Sequence, residues 1–158
     1  MGSVKAMKLP IGKRAPRVLL YSHDTFGLGH LRRSRTIAGA LTAADPGMSA
    51  LILTGSPVAG RFTFPDRVDH IRLPGVTKSE DGTYASEALG LHIDETTALR
   101  AGLIHTAVEK FEPDLVIVDK EPTGFRGELE ETLQWLRKET DTKVVLGLRD
   151  VLDEGEAL

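Results

Sequence analysis

Short runs of apolar residues alternate with segments of helical periodicity along most of the chain. The runs are rich in valine, leucine and isoleucine, which is typical of strands that are buried on both faces of a parallel sheet. They predict strands at Val18–Tyr21, Ala50–Thr54, Val68–Leu73, Leu115–Val118 and Lys143–Leu148. The alternation of strand and helix predicts a doubly wound, Rossmann-like α/β domain.

Three segments between these strands carry apolar residues at helical spacing. The first helix is predicted over 30–44, and the third, acidic at its start and basic at its end, over 128–138. The second is predicted to follow an N-cap at Asp94, with one apolar face made by Leu99, Leu103, Ile104, Val108 and Phe111. The polar stretch 76–92 has little periodicity, so we interpret it as a long loop that is either mobile or functional, such as an acceptor loop.

Composition limits the classes of partner. The length of 158 residues fits one domain, and a net charge of −3 gives no general attraction to nucleic acid, so no nucleic-acid partner is expected. The absence of cysteine excludes disulfides and thiolate chemistry and suits a cytoplasmic protein. Residues 1–16 are basic without an apolar signal sequence, and we interpret them as a disordered basic tail that leaves a peripheral membrane contact open.

Ionisable residues follow three of the predicted strands. Ligands of an open parallel sheet bind beyond the carboxyl ends of its strands, close to a helix N-terminus. We therefore expect the side chains at these strand ends to share one rim and to form a ligand site: His23, Asp24, Asp119, Lys120, Glu121, Arg149 and Asp150.

A glycine-rich loop joins the first strand to the first helix. Gly27 and Gly29 suit a tight turn and close approach of the backbone to a ligand. A dinucleotide-binding motif would need glycine or alanine where Arg32 stands, and the second strand ends at Thr54 without the acid that binds ribose. A P-loop pattern is also absent from the sequence, so neither nicotinamide chemistry nor P-loop hydrolysis is favoured.

The start of the first helix is basic and carries a histidine. Arg32, Arg33 and Arg35 oppose the helix dipole, and an anion bound at this helix end would remove the conflict; the alternative is that they face solvent or pair with nearby acids. His30 is placed where an imidazole could take a proton from a hydroxyl or a water. Asp119 and Glu121 are too few for a dedicated metal site, so no metal and no cofactor is predicted.

The segment 27–38, Gly-Leu-Gly-His-Leu-Arg-Arg-Ser-Arg-Thr-Ile-Ala, resembles the first loop and helix of GT-B glycosyltransferases. The group most similar to it is the one related to the peptidoglycan N-acetylglucosaminyl transferase, the MurG-like, family 28-like enzymes. The segments 118–129 and 146–152 resemble an uncharacterised bacterial branch of predicted glycosyltransferases. The resemblance runs from about Arg17 to the end of the chain, but Leu31-Arg32-Arg33 departs from the peptidoglycan enzyme.

The resemblance implies two Rossmann-like domains that face a cleft. Residues 17–158 would form the amino-terminal, acceptor-side domain, and a carboxyl-terminal domain of the same polypeptide would hold the nucleotide-sugar donor. It implies metal-independent sugar transfer to a saccharide or lipid-linked acceptor. Gly27, Gly29 and His30 match the family's Gly-x-Gly-His element. Together with the strand ends, this leads us to expect His30 and Asp119 to be catalytic, and to expect that donor phosphates or acceptor are bound by Gly27, Gly29, Arg33, Glu121, Arg149 and Asp150.

Two other functions stay open. The pattern Gly-x-Gly-His-x-x-Arg, with His30 and Arg33, is equally similar to nucleotide-sugar hydrolases of pseudaminic acid synthesis, which share the fold and whose histidine activates water. An epimerase of the same fold belongs to this alternative. The third reading is a non-catalytic module that binds a sugar or a nucleotide.

Overall fold

Five parallel strands form the central sheet of the protein, whose computed structural model describes residues 14–24 and 28–148. Their order is β3-β2-β1-β6-β7, with β1 at Arg17–Tyr21, β2 at Ser49–Thr54, β3 at Val68–Arg72, β6 at Leu115–Asp119 and β7 at Lys143–Gly147. Strands β4 (Val76–Lys78) and β5 (Tyr84–Ser86) form a separate antiparallel pair. The helices are α1 (Gly29–Ala44), α2 (Ile93–Phe111) and α3 (Glu130–Glu139). All five predicted strands and all three predicted helices are therefore confirmed.

Each face of the sheet carries its own apolar core. Successive side chains of β1 point to opposite faces, so Leu20 joins the core beneath α1 whereas Leu19 joins the core beneath α2 and α3. Leu31 and Ala38 supply α1's share of the first core, and Leu136 supplies α3's share of the second. Helices cover both faces, which confirms the doubly wound architecture.

The order in which the chain adds strands to the sheet reverses between β1 and β6. From β1 the order runs outward through β2 to β3 on one side and through β6 to β7 on the other. The carboxyl ends of β1 and β6 are neighbours, because Tyr21 is in register with Val118. The topological switch point, where such sheets bind ligands, therefore lies between Ser22 and Asp119.

The prediction that 76–92 lacks regular structure was wrong for its first half. Val76 pairs with Ser86 and Lys78 with Tyr84, which makes a short hairpin. The turn closes because Ser79 donates its backbone N–H to the Thr83 carbonyl at 2.8 Å, and Gly82 adopts a positive φ of 85°. Strands of three residues are too short to give a periodic signal, which is why the pattern missed them.

The predicted start and buried face of α2 also need correction. His92 is the N-cap, and its ring nitrogen accepts the Asp94 backbone N–H, so Asp94 lies in the first turn. Leu99 and Leu103 are exposed, whereas Arg100 lies on the buried stripe. The buried face of α2 contains Arg100 instead of these leucines, because Arg100 has a buried carboxylate partner that is described below.

The ends of the described chain differ from its core. Arg14 donates to the Glu112 carbonyl at 2.6 Å, while residues 1–13 of the predicted tail lie outside the described residues. The third helix begins at Glu130, after a 3₁₀ turn over Phe125–Gly127. Apolar side chains of β7, at the sheet edge, are exposed to solvent. Within 14–24 and 28–148, no helix is long and apolar enough to cross a bilayer.

Candidate active site

A buried histidine–aspartate pair lies at the switch point. His30 stands in the first turn of α1 and Asp119 ends β6; their exposed fractions are only 8% and 5%. The His30 Nδ1 is hydrogen-bonded to the Asp119 Oδ2. A carboxylate that accepts from Nδ1–H fixes the ring orientation and leaves Nε2 as the acceptor nitrogen. The arrangement is that of a general base held by its carboxylate.

Arg33 ties this pair to the next strand end. It follows His30 by almost one helical turn, so both side chains face the carboxyl edge of the sheet. Its Nη1 lies 3.4 Å from the Asp119 Oδ1, and its Nη2 donates to the Leu148 carbonyl at 2.6 Å. One Asp119 oxygen therefore lies beside the Arg33 guanidinium without a hydrogen bond to it, while the other oxygen holds the histidine.

The other two arginines in the first turns of α1, Arg32 and Arg35, have different surroundings. Arg35 donates its Nε to the Thr63 carbonyl and lies over the Phe62 ring, with 5.8 Å between the guanidinium carbon and the ring centroid. Arg32 is exposed. Among these three, protein oxygens therefore contact Arg33 and Arg35, whereas Arg32 is left to solvent.

A second carboxylate, Asp24, is buried just after β1. Its Oδ2 accepts the Thr54 hydroxyl, and its Oδ1 has no hydrogen-bond partner among the described residues. Burial raises the pKa of the Asp24 carboxyl, although the hydrogen bond from Thr54 acts in the opposite direction. A carboxyl that is buried at a cost and only partly satisfied is a feature more common at functional sites than elsewhere.

His23 connects the pair to a surface groove. Its ring lies edge-on to the His30 ring, with 5.9 Å between the centroids. Beyond it opens a groove of about 520 Å³ between the β4–β5 hairpin and the chain after β6, lined by residues that include Lys78, Tyr84, Lys120, Phe125 and Arg126. Of these, the sequence had indicated Lys120 as a site residue and had placed Phe125 and Arg126 in the segment 118–129 without a role, whereas Lys78 and Tyr84 of the hairpin were not indicated.

The structure places the remaining predicted residues as follows. Glu121 is exposed and lines the groove without contacting His30, and its backbone N–H donates to the Asp119 carbonyl at 2.8 Å. A Cβ on Gly29 would meet no described atom within 4 Å, which leaves open space beside the helix start. Gly27, Arg149 and Asp150 lie outside the described residues. Within the described ranges, no cluster of three or more His, Cys, Asp or Glu side chains could hold a metal ion.

A buried ion pair under the groove escaped the sequence prediction. Glu128 accepts from the Arg100 Nε at 2.7 Å and from its Nη2 at 2.8 Å, and the two side chains are 0% and 1% exposed. The Tyr21 hydroxyl donates to Glu128 at 2.6 Å and accepts the Phe125 backbone N–H at 2.8 Å. Burial, and then the Glu128 carboxylate, raise the pKa of Tyr21, so it remains a donor. The network therefore fixes the turn that forms one wall of the groove.

One sequence signal could have revealed this network. Thr96, Arg100, Ile104 and Val108 recur at every fourth position of α2 and are all buried. An arginine in register with such a stripe needs a buried acid, because an unpaired charge is too costly there.

Comparison with known proteins shows the fold. The sequence matches no model of a known protein family and no curated protein. It is similar in structure to a glycosyltransferase from Rickettsia africae ESF-5, with a TM-score of 0.51 and 15% identity over 88% of this chain and 32% of that one. A ugt transferase from Siraitia grosvenorii in complex with UDP gives a TM-score of 0.47 and 16% identity over 77% and 25% of the two chains.

The chain thus spans about a third of the length of the Rickettsia glycosyltransferase. At 15% identity the likeness concerns the fold alone. It confirms the predicted fold class, a Rossmann-like α/β domain with a parallel sheet.

Proposed function

We propose that this chain is the acceptor-side domain of a glycosyltransferase and that His30 is its general base. The observation that carries the proposal is the buried His30–Asp119 pair at the switch point of the sheet. The fold likeness to the glycosyltransferase from Rickettsia africae supports the class of reaction. The resemblance of the loop and helix at 27–38 to MurG-like enzymes supports it from the sequence side.

The proposed step transfers a sugar from a nucleotide-sugar donor to an acceptor hydroxyl. The hydroxyl oxygen attacks the anomeric carbon, the bond from that carbon to the phosphate oxygen breaks, and the nucleotide leaves with the electron pair. The hydroxyl proton passes to the His30 Nε2, and the imidazolium that forms is stabilised by Asp119. Arg33, whose Nη1 lies 3.4 Å from Asp119, would offset part of the carboxylate's charge.

The other predicted residues are proposed to bind the donor or the acceptor. Gly27 and Gly29 would let the donor phosphates approach the start of α1, and Arg149 and Asp150 would contact donor or acceptor. A second, carboxyl-terminal domain would complete the donor site. The exposed apolar side chains of β7 support a longer protein, because a strand of this composition is usually covered.

The test is turnover by the natural polypeptide that contains these residues. Release of nucleotide is measured over a panel of nucleotide sugars, with and without saccharide acceptors. We expect His30→Ala to lower kcat by about 10²–10⁴-fold, as loss of a general base does. Asp119→Asn is expected to cost about 10–100-fold, because it disturbs the orientation of the histidine. His105→Ala is the control, since His105 lies on α2 and its ring is hydrogen-bonded to the Thr132 hydroxyl of α3.

The outcomes separate the three functions. Nucleotide release that requires an acceptor and depends on His30 supports a transferase. Equal release in water alone would identify the nucleotide-sugar hydrolase instead. Turnover that is absent, or unchanged in His30→Ala, contradicts the proposal.

A further inference from the structure

The groove beside His23 combines cations, hydroxyl-binding groups and aromatic rings. Lys78 and Lys120 line it, and neither forms an ion pair with a described residue. Arg126 also lines it but is paired with Asp94 at 2.6 Å. Glu121 is the one carboxylate among the described lining residues. The groove therefore has an excess of positive charge, in a chain whose net charge is −3.

His23 supplies an independent sign of a ligand. It lines the groove, is only 8% exposed, and its Nδ1 has no hydrogen-bond partner among the described residues. Burial, and then the nearby His30 and Lys120, lower the pKa of His23, so its ring is neutral at pH 7. A buried, neutral and unpaired imidazole nitrogen is suited to a hydroxyl group of a bound molecule.

The backbone holds Lys120 in a conformation that lysine rarely adopts. Its φ is 66°, and its N–H donates to the Gly147 carbonyl at 2.9 Å, which turns the chain directly after Asp119. Left-handed backbone at a non-glycine residue costs free energy and recurs at ligand sites. This turn brings the Lys120 side chain to the groove instead of continuing the line of β6.

The aromatic residues give the groove an apolar wall. Tyr84 and Phe125 meet edge to face with 4.9 Å between their centroids, and the Lys78 Nζ lies 5.6 Å from the Tyr84 centroid. Such a wall suits the carbon-bound hydrogens of a sugar ring, while its edges present cations.

We propose that this groove binds the acceptor and that the acceptor is an anionic sugar, with its phosphate or carboxylate on Lys78 and Lys120 and a hydroxyl on His23. The inference rests on the proposed function only in calling the ligand an acceptor. His23 links the two sites, since its ring adjoins that of the proposed base.

The experiment measures binding to the 158-residue chain, without any turnover. Glucose 6-phosphate, glucuronate, glucose and inorganic phosphate are titrated separately, and affinity and shifted amide resonances are recorded by NMR. We expect the phosphate and carboxylate sugars to bind at least tenfold more tightly than glucose, and inorganic phosphate to bind more weakly than the sugar phosphate. The shifted signals should include those of His23, Lys78, Tyr84 and Lys120. The two anionic sugars distinguish a phosphate from a carboxylate.

Paired variants provide the control. Lys78→Ala with Lys120→Ala should weaken binding of the anionic sugar at least tenfold and leave glucose binding unchanged. Lys110→Ala with Lys138→Ala removes the same charge from exposed sites on α2 and α3 and should have less than a twofold effect. Equal binding of glucose, shifts confined to another surface, or an unaffected Lys78/Lys120 variant would each overturn the inference.

Failure here is distinguishable from failure of the proposed function. His30→Ala should keep the preference for anionic sugars over glucose, because that preference is assigned to Lys78 and Lys120 and His30 does not line the groove. Loss of turnover in that variant, with no anion preference in the groove, rejects the acceptor inference alone. An anion-selective groove in a protein whose turnover does not need His30 rejects the catalytic proposal alone.

Discussion

Replacing Glu128 by alanine should bring the domain close to unfolding. Glu128 accepts two hydrogen bonds from Arg100 and one from Tyr21, and it is fully buried with its partner. The Glu128→Ala variant leaves a buried guanidinium whose remaining partner is the Pro74 carbonyl. Breaking a buried ion pair from one side costs about 3–5 kcal/mol, because the remaining charge loses both water and its partner.

That cost is large against the free energy of unfolding of a typical domain, about 5–15 kcal/mol. With a urea dependence of about 2 kcal/mol per molar, a loss of about 4 kcal/mol moves the unfolding midpoint down by about 2 M urea. The measurement is urea unfolding followed by circular dichroism. Glu139→Gln is the control, because Glu139 is exposed at the end of α3, the helix that follows Glu128, and its change should stay within about 0.5 kcal/mol.

A double variant tests the reasoning more sharply. Arg100→Met with Glu128→Leu removes both charges and keeps similar volumes, so we expect it to recover at least half of the stability that Glu128→Ala loses. The network would then act through charge compensation. A double variant no more stable than Glu128→Ala alone would refute that argument and would point to shape as the main contribution of the pair.

Other residues give simpler tests by urea unfolding and sedimentation. Burial raises the pKa of Asp24 above the carboxyl group's ordinary value of 3.8. Above pH 3.8 the native state therefore binds more protons than the unfolded chain, and the native state loses stability as the pH rises. Asp24→Asn should therefore be more stable than the native chain at pH 7, with a gain that shrinks toward pH 4; an equal gain at both pH values contradicts this. Gly124→Ala should cost about 1–3 kcal/mol, since φ is 72° and the new Cβ would lie 2.8 Å from Leu129, whereas Gly102→Ala, in open space on α2, should gain about 0.5–1 kcal/mol. Val145→Lys should reduce association of the chain in sedimentation velocity, because its exposed apolar strand lies at a sheet edge; unchanged association would refute this.

The main elements of the fold could be predicted because their signals are local. Buried parallel strands are continuous apolar runs, and the first helix has its stripe and its stop within one segment, so β1, β2, β6 and α1 were predicted to within two residues. The β4–β5 hairpin was missed because each strand has three residues and is held by its turn. The buried face of α2 was misassigned because Arg100 is polar by type and buried only through a partner 28 positions away.

In the candidate site, too, some features could be predicted from the sequence and others depend on the tertiary structure. The motif identified His30, and the position of Asp119 at a strand end marked it as a site residue, since both are features of sequence and topology. Their direct hydrogen bond joins residues 89 positions apart and depends on how α1 packs above β6. Predicting the groove would require still more of the tertiary structure, because the groove brings together the hairpin, the turn after β6 and His23.

By itself, the sequence determined a doubly wound α/β domain with a histidine and several charged strand ends at one rim. Hydrophobic periodicity and strand order suffice for that, since both follow from neighbouring residues and from the general rules of parallel sheets. Only the tertiary structure decided which charges meet: His30 with Asp119, and Arg100 with Glu128. The physical reason is that a buried charge is stable only beside its partner, and partners distant along the chain are chosen by packing.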